Sequence, residues 1–300
     1  MIICTGDWHI RPDKPACRKE TAEEWIEVQF KKIEAILKYS AENDSAPILV
    51  AGDFFHKPTG APAWLLARLI RVIDNGYSEG AGSIYVVAGQ HDLPFHQLEN
   101  LHRSNLGVLL AAEVVFARCH SGMMNAKFFP WGKPIEEVNS KNPIAIAHTM
   151  VLKDQQSELW PGQIKDTGVS AAEHLLRKFS CYDLIATGDN HQPFAVEFGG
   201  RWLCNAGSLT RQKSNETHIP GFWVCDEGRV DRVDLPYDPD AIQSAATKEA
   251  SAAWAGNLEA VGALLDEMDV ADELDFYTAL QAYFRARKVR ADVQKKIMGE

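Results

Sequence analysis

The chain of 300 residues is 46% hydrophobic and 24% charged, a composition ordinary for a globular protein, and its formal net charge is −10. That acidity argues against a large sequence-independent surface for polyanions, unless bound cations reverse the local sign. No apolar run approaches the roughly 20 residues of a membrane span, and the opening MIICTGDWHI lacks the basic lead and apolar core of a secretory signal.

In chain order, Ile2–Cys4 is a short apolar run that ends at Gly-Asp, as buried strands end at polar loops. Over Thr21–Glu42, residues Trp25, Phe30, Ile33, Ile36 and Leu37 recur at helical spacing. A second strand follows at Pro47–Ala51, a helix at Ala63–Asn75, and further strands at Ile84–Ala88, Ile144–Ala147 and Leu184–Ala186, with a helix at Ser170–Phe179 between the last two. Strand alternating with helix predicts an α/β sheet. The later segments Phe194–Phe198, Arg201–Cys204, Gly221–Asp226 and Val230–Leu235 are separated by Gly turns and read as a second, antiparallel sheet. Past Pro236 the composition turns to Ala, Glu and Leu, which sets a boundary there and predicts two parts, 1–235 and a helical region 236–300. Six cysteines show no paired spacing, and Cys4, Cys204 and Cys225 fall within apolar strands, as buried free thiols do in a reducing, cytoplasmic protein.

The word Thr-Gly-Asp-x-His occurs twice, at 5–9 and 187–191, in otherwise dissimilar surroundings. A duplicated module is thereby excluded, and two distant loops meeting at one site is the better explanation. Polar clusters follow five of the strands: Asp7 and His9; Asp53 and His56; Gln90, His91 and Asp92; His148; and Asp189 and His191. Carboxyl ends of strands are where open α/β sheets build sites. Side chains at i and i+2 of an extended segment point the same way, so Asp7 with His9, and Asp189 with His191, can each grip one ion. Any one cluster is commonly an ordinary polar loop; the ordered set of four carboxylates, five imidazoles and a carboxamide points to metal-assisted chemistry.

This series resembles the calcineurin-like metallophosphoesterases, and more narrowly the SbcD-type nucleases of double-strand-break repair and their bacteriophage relatives. IAHTMV (146–151) and CNAGSLTRQ (204–212) carry the narrower resemblance, which covers residues 1–226. It implies two packed mixed β-sheets flanked by helices, a four-layer sandwich, with a small helical C-terminal region. It implies a two-metal nuclease acting on DNA, with Asp7, His9, Asp53 and His191 on one ion. Asp53, shared between both ions, joins Gln90, His148 and Asp189 on the second. In that pattern His91 protonates the leaving oxygen, Asp92 orients its ring, and His56 stands near the scissile phosphate. Gln90 and Asp189 replace the family's Asn and His, and an oxygen-rich second site favours Mn²⁺ or Mg²⁺ over Zn²⁺. The resemblance further implies an SbcC-type ATPase partner, for which the aromatic stripe Phe276, Leu280, Tyr283 and Phe284 is the candidate contact, and a homodimer. Arg211 and Lys213 are candidate phosphate contacts. A phosphatase for small or protein phosphoesters shares every metal motif, and an inactive scaffold is the third reading, disfavoured by the presence of His91 and Asp92.

Overall fold

The computed structural model describes residues 1–119, 124–139, 143–154, 169–214 and 216–242. Three parallel strands, β1 (Ile2–Thr5), β2 (Ile48–Val50) and β3 (Ile84–Val86), lie side by side, joined by crossover helices α1 (Ala22–Glu42) and α2 (Ala63–Ser78). Helix α1 starts at a capping box, in which Glu24 N–H donates to Thr21 Oγ1 at 3.2 Å and Thr21 N–H to Glu24 Oε2 at 2.8 Å. Its buried stripe includes Trp25, Phe30, Ile33, Ile36 and Leu37, and that of α2 includes Leu65, Leu69 and Ile73. After a short helix α3 (Asn105–Ala111), a second set of parallel strands follows: β4 (Ala126–Phe129), β5 (Ile144–His148) and, beyond a small pair β6 (Val151–Leu152) with β7 (Ser170–Ala171) and helix α4 (Ala172–Lys178), β8 (Leu184–Gly188).

The last four strands correct the expected separate antiparallel sheet. β9 (Phe194–Phe198) and β10 (Arg201–Asn205) join the second set, in the order β4-β5-β8-β10-β9, with β10 parallel to β8. β11 (Gly221–Asp226) and β12 (Arg229–Asp234) return to the first, in the order β12-β11-β1-β2-β3. Both sheets are therefore mixed, because hairpins supply the antiparallel edge strands. β4, the β6–β7 pair and α3 are elements that the apolar patterning did not signal.

Alternation along the strands makes the layers. Ile3, Ile48, Val50, Ile84 and Val86 pack in the cluster with α1 and α2, while Cys4, Leu49, Ala51, Tyr85 and Val87 meet Ile144, Ile146, Leu184, Ala186 and Cys204 of the other sheet. Ala145, Ala147, Ile185 and Leu203 turn outward onto Leu175, Leu176 and Phe179. The result is two mixed sheets face to face, flanked by helices. Residues 15–19, 212–214 and 240–242 belong to a second unit, in which Arg18 bridges Ile242 and Lys19 N–H donates to Ala241 O at 2.9 Å. The rest of the C-terminal region, including Phe276 to Phe284, lies outside the described residues. Among the described residues no helix is long and apolar enough to cross a membrane.

Candidate metal centre

Five strands, β1, β2, β3, β5 and β8, end at one edge of the sandwich, and their loops bring the predicted polar residues together. The backbone there is not the extended one that the i, i+2 argument assumes. Asp7, His9, Asp53 and Asp189 all take left-handed conformations, at φ 47°, 45°, 48° and 82°. Such conformations cost about 1–3 kcal/mol each in non-glycine residues and persist where the surroundings over-determine them. Here they do: Asp7 N–H donates to Gly52 O at 3.1 Å, His9 N–H to Asp53 O at 2.9 Å, and Leu209 N–H to Asp7 O at 3.0 Å. Past His9, the Gln29 amide of α1 clamps residue 11 on both sides, accepting Arg11 N–H and donating to Arg11 O, each at 3.0 Å. Trp8 turns away into the core, fully buried, with its ring 4.7 Å from that of Phe54.

Asp53 is the hub. Its Oδ1 accepts His91 N–H at 2.9 Å, and its Oδ2 lies 3.6 Å from His9 Nε2 and 3.5 Å from His148 Nε2. On one side of it Asp7, His9 and His191 group their donor atoms, with His9 Nε2 3.1 Å from His191 Nε2. On the other side stand Asp7, Asp53 and His148. Gln90 extends this second side: His148 Nε2 donates to its Oε1 at 2.6 Å, and its Nε2 donates to Asp189 Oδ1 at 2.9 Å. Asp189 thus joins through Gln90, while its own N–H donates to Asp7 Oδ1 at 3.0 Å. His148 follows from the strand period, since it continues the series Ile144, Ile146 that faces the other sheet, and its Nδ1 reaches Ala51 O at 2.7 Å. Room is made by Gly89, where a Cβ would fall 2.0 Å from Asp53 Oδ1.

A third group holds His9, His56 and His91, with the rings of His56 and His91 stacked at 5.5 Å and 15°. His91 Nδ1 lies 2.9 Å from His56 O; a carbonyl only accepts, so Nδ1 carries hydrogen. Asp92 does not orient this ring as expected. Its buried carboxylate accepts the N–H groups of Phe54, Phe55 and Gly89 at 3.1, 2.9 and 3.0 Å, pinning the loop after β2 to the loop after β3. Arg211 also departs from expectation: it is only 7% exposed, and its guanidinium donates to Asp238 O at 2.6 Å.

Two residues at the site carry no sequence signal of their own. Glu216, nearly buried, places Oε1 2.5 Å from His191 Nδ1, which leaves the ring's Nε2 aimed at the centre. Its partner is 25 residues away, with no motif spacing to announce it. Arg11, buried and ion-paired with Asp13, bears electrostatically on His56.

The charges show what the cluster lacks. Burial, with Asp53's charge adding, pushes the Asp7 carboxyl up to about 7 despite the opposing His148 and His191. For His148, burial works against the charged ring, yet Asp53, Asp7 and Asp189 outweigh it and raise it to about 10. Burial also raises the Asp53 carboxyl, but His148 and His91 outweigh this and hold it below its ordinary value. A carboxyl that retains its proton and an imidazole that gains one, both beside the Asp53 carboxylate, mark a crowd of buried negative charge that cations would relieve. Oxygen and imidazole donors, already gathered, suit divalent ions. His56 behaves oppositely: burial, Arg11 and His91 lower it to about 3, so it stays neutral.

Residues 1–208 match the family described as calcineurin-like phosphoesterase. Among solved structures, a Vps29 single mutant from Entamoeba histolytica is similar at 15% identity and TM-score 0.32, over 78% of this chain and 99% of that one. Vps29 from Cryptosporidium parvum is similar at 15% and 0.33, over 79% and 96%. A putative 5'-nucleotidase from Staphylococcus aureus is similar at 14% and 0.41, over 79% of this chain and 55% of that one. No curated protein sequence matches the chain.

Proposed function

The chain belongs to the calcineurin-like phosphoesterase family, and on that premise we propose that it is a metal-dependent nuclease that hydrolyses DNA phosphodiesters in recombination or repair. The observation that carries a two-ion reading is Asp53 Oδ2, 3.6 Å from one imidazole and 3.5 Å from another, between two donor sets. Asp7, His9, Asp53 and His191 would hold one ion, and Asp53, Gln90, His148 and Asp189 the second, with Mn²⁺ or Mg²⁺ suited to the oxygen-rich side. Bound dications supply Lewis acidity toward a phosphate ester.

The protein's own groups do the rest. With Nδ1 of His91 committed to His56 O, Nε2 is the atom from which a proton would reach a leaving alkoxide; delivery there is worth about 10²–10⁴-fold in rate. His56, held neutral, adds no positive charge beside the cations and still offers an N–H to a phosphoryl oxygen. Glu216 fixes the tautomer of His191, and Asp92 holds the two loops in register.

DNA as substrate is supported by the resemblance of IAHTMV and CNAGSLTRQ to the nuclease branch. On the same ground we propose an SbcC-type ATPase as partner, and from the unpaired cysteine spacing the cytoplasm as location. The test is purified protein with Mn²⁺ on end-labelled linear and circular DNA, beside bis(p-nitrophenyl) phosphate, with Asp53→Ala as control. Cleavage of DNA lost in Asp53→Ala is the expected result. Hydrolysis of the small ester with DNA left intact puts the phosphatase reading in its place.

A further inference from the structure

Away from the metal centre, three cysteines expected as separate buried thiols fall in one cluster. Cys4 of β1 and Cys225 of β11 are diagonal neighbours, since Cys4 faces Trp223 and Cys225 faces Ile2 across the ladder. Their sulfurs lie 3.8 Å apart. Cys204 of β10, from the opposite sheet, belongs to the same buried cluster. Cys4 and Cys204 are buried, whereas Cys225 is partly exposed near the amino terminus, whose ammonium pairs with Asp226 at 3.0 Å.

We infer that Cys225 is a peroxide-reactive thiol, with Cys4 as its resolving partner, in a site for reversible oxidation. The geometry assigns the roles. Cys225 is the one of the touching pair that solvent reaches, so it meets peroxide first, and the buried Cys4 sulfur beside it is placed to resolve it. The neighbouring Cys204 and Cys4 thiols hold the Cys225 thiol below its ordinary value, and those two thiols are raised well above theirs. A stabilised, partly exposed thiolate is the form that attacks peroxide. In the first step the Cys225 thiolate attacks one oxygen of hydrogen peroxide; the O–O bond breaks, hydroxide leaves and takes a proton to become water, and Cys225 becomes a sulfenic acid. In the second, Cys4 sulfur attacks that of Cys225, the S–O bond breaks, and the departing hydroxide takes the Cys4 proton. Two thiols are oxidised by two electrons, one peroxide is reduced, and two waters are formed. Forming the bond takes the sulfurs from 3.8 Å to about 2.05 Å, with a shift of the paired strands.

The test uses the whole chain. After hydrogen peroxide, free thiols are blocked with N-ethylmaleimide, and non-reducing peptide mass spectrometry is expected to find Cys4 linked to Cys225, released by dithiothreitol. In Cys4→Ser, dimedone is expected to trap a sulfenic acid on Cys225. Independently of any variant, native Cys225 should alkylate about tenfold faster than Cys181, which is also partly exposed. All six cysteines remaining alkylatable on denaturation after peroxide, or Cys225 reacting no faster than Cys181, overturns the inference.

Discussion

Glu216→Ala is the perturbation that isolates the part of the centre found only in the folded chain. The Glu216 carboxylate is 4% exposed and lies 2.5 Å from His191 Nδ1. It holds the ring so that Nε2 faces His9 Nε2 at 3.1 Å, and its charge raises the basicity of that nitrogen. Removing such a partner typically weakens metal binding about 10–100-fold, which is about 1.4–2.8 kcal/mol at 1.4 kcal/mol per tenfold. Glu216→Gln keeps an oxygen to accept the Nδ1 hydrogen and loses only the charge, so it should fall between wild type and alanine. The assay is calorimetric titration of metal-free protein with Mn²⁺, with His91→Ala alongside, which should lose hydrolysis with little change in metal affinity. Circular dichroism establishes that each variant is folded. If folded Glu216→Ala binds Mn²⁺ within twofold of wild type, His191 is not oriented by this carboxylate and the argument is wrong.

Other consequences follow from the same geometry. Asp92→Ala leaves three buried N–H groups without their acceptor; at about 1–3 kcal/mol apiece, urea unfolding should show a loss of about 3 kcal/mol or more. Gly89→Ala sets a Cβ against Asp53 Oδ1 at 2.0 Å and Asp53 N at 2.4 Å, and should abolish Mn²⁺ binding while keeping the far-UV spectrum. In metal-free protein the Asp7 carboxyl, raised to about 7, contributes stability that is complete below its ordinary 3.8 and is lost as pH rises through 7. Protons compete with metal for that oxygen, so the rise in melting temperature on adding Mn²⁺ should be larger at pH 8 than at pH 5.5. Asp189→His should shift metal preference toward Zn²⁺, read by competition between the two ions.

Much of the centre was legible because each ligand-bearing loop follows its own apolar strand. The runs at Ile2, Pro47, Ile84, Ile144 and Leu184 mark where chains must end at a common sheet edge, and the polar clusters sit directly after them. His148 could be aimed from its register alone. The reasoning failed where it extended strand geometry into the loops: Asp7 and His9 converge through left-handed turns held by Gly52 and Asp53 carbonyls, not through an extended segment. It failed again at Asp92, because adjacency to His91 in sequence says nothing of which backbone groups a buried carboxylate will meet.

By itself the amino-acid order determined most of the strands and helices, though not β4, β6, β7 or α3, the faces they bury and the donor types available to cations, since period and local composition act over a few residues. Only the tertiary structure decided which sheet the last four strands join, that Glu216 backs His191, that Arg211 is buried, and that Cys4, Cys204 and Cys225 share one cluster. These pairings span from 18 positions, where Trp202 of β10 lies beside Leu184 of β8, to 221, between Cys4 and Cys225. They are set by strand order and layer packing, whose energy is summed over the whole core and leaves no local trace in the residues that it brings together.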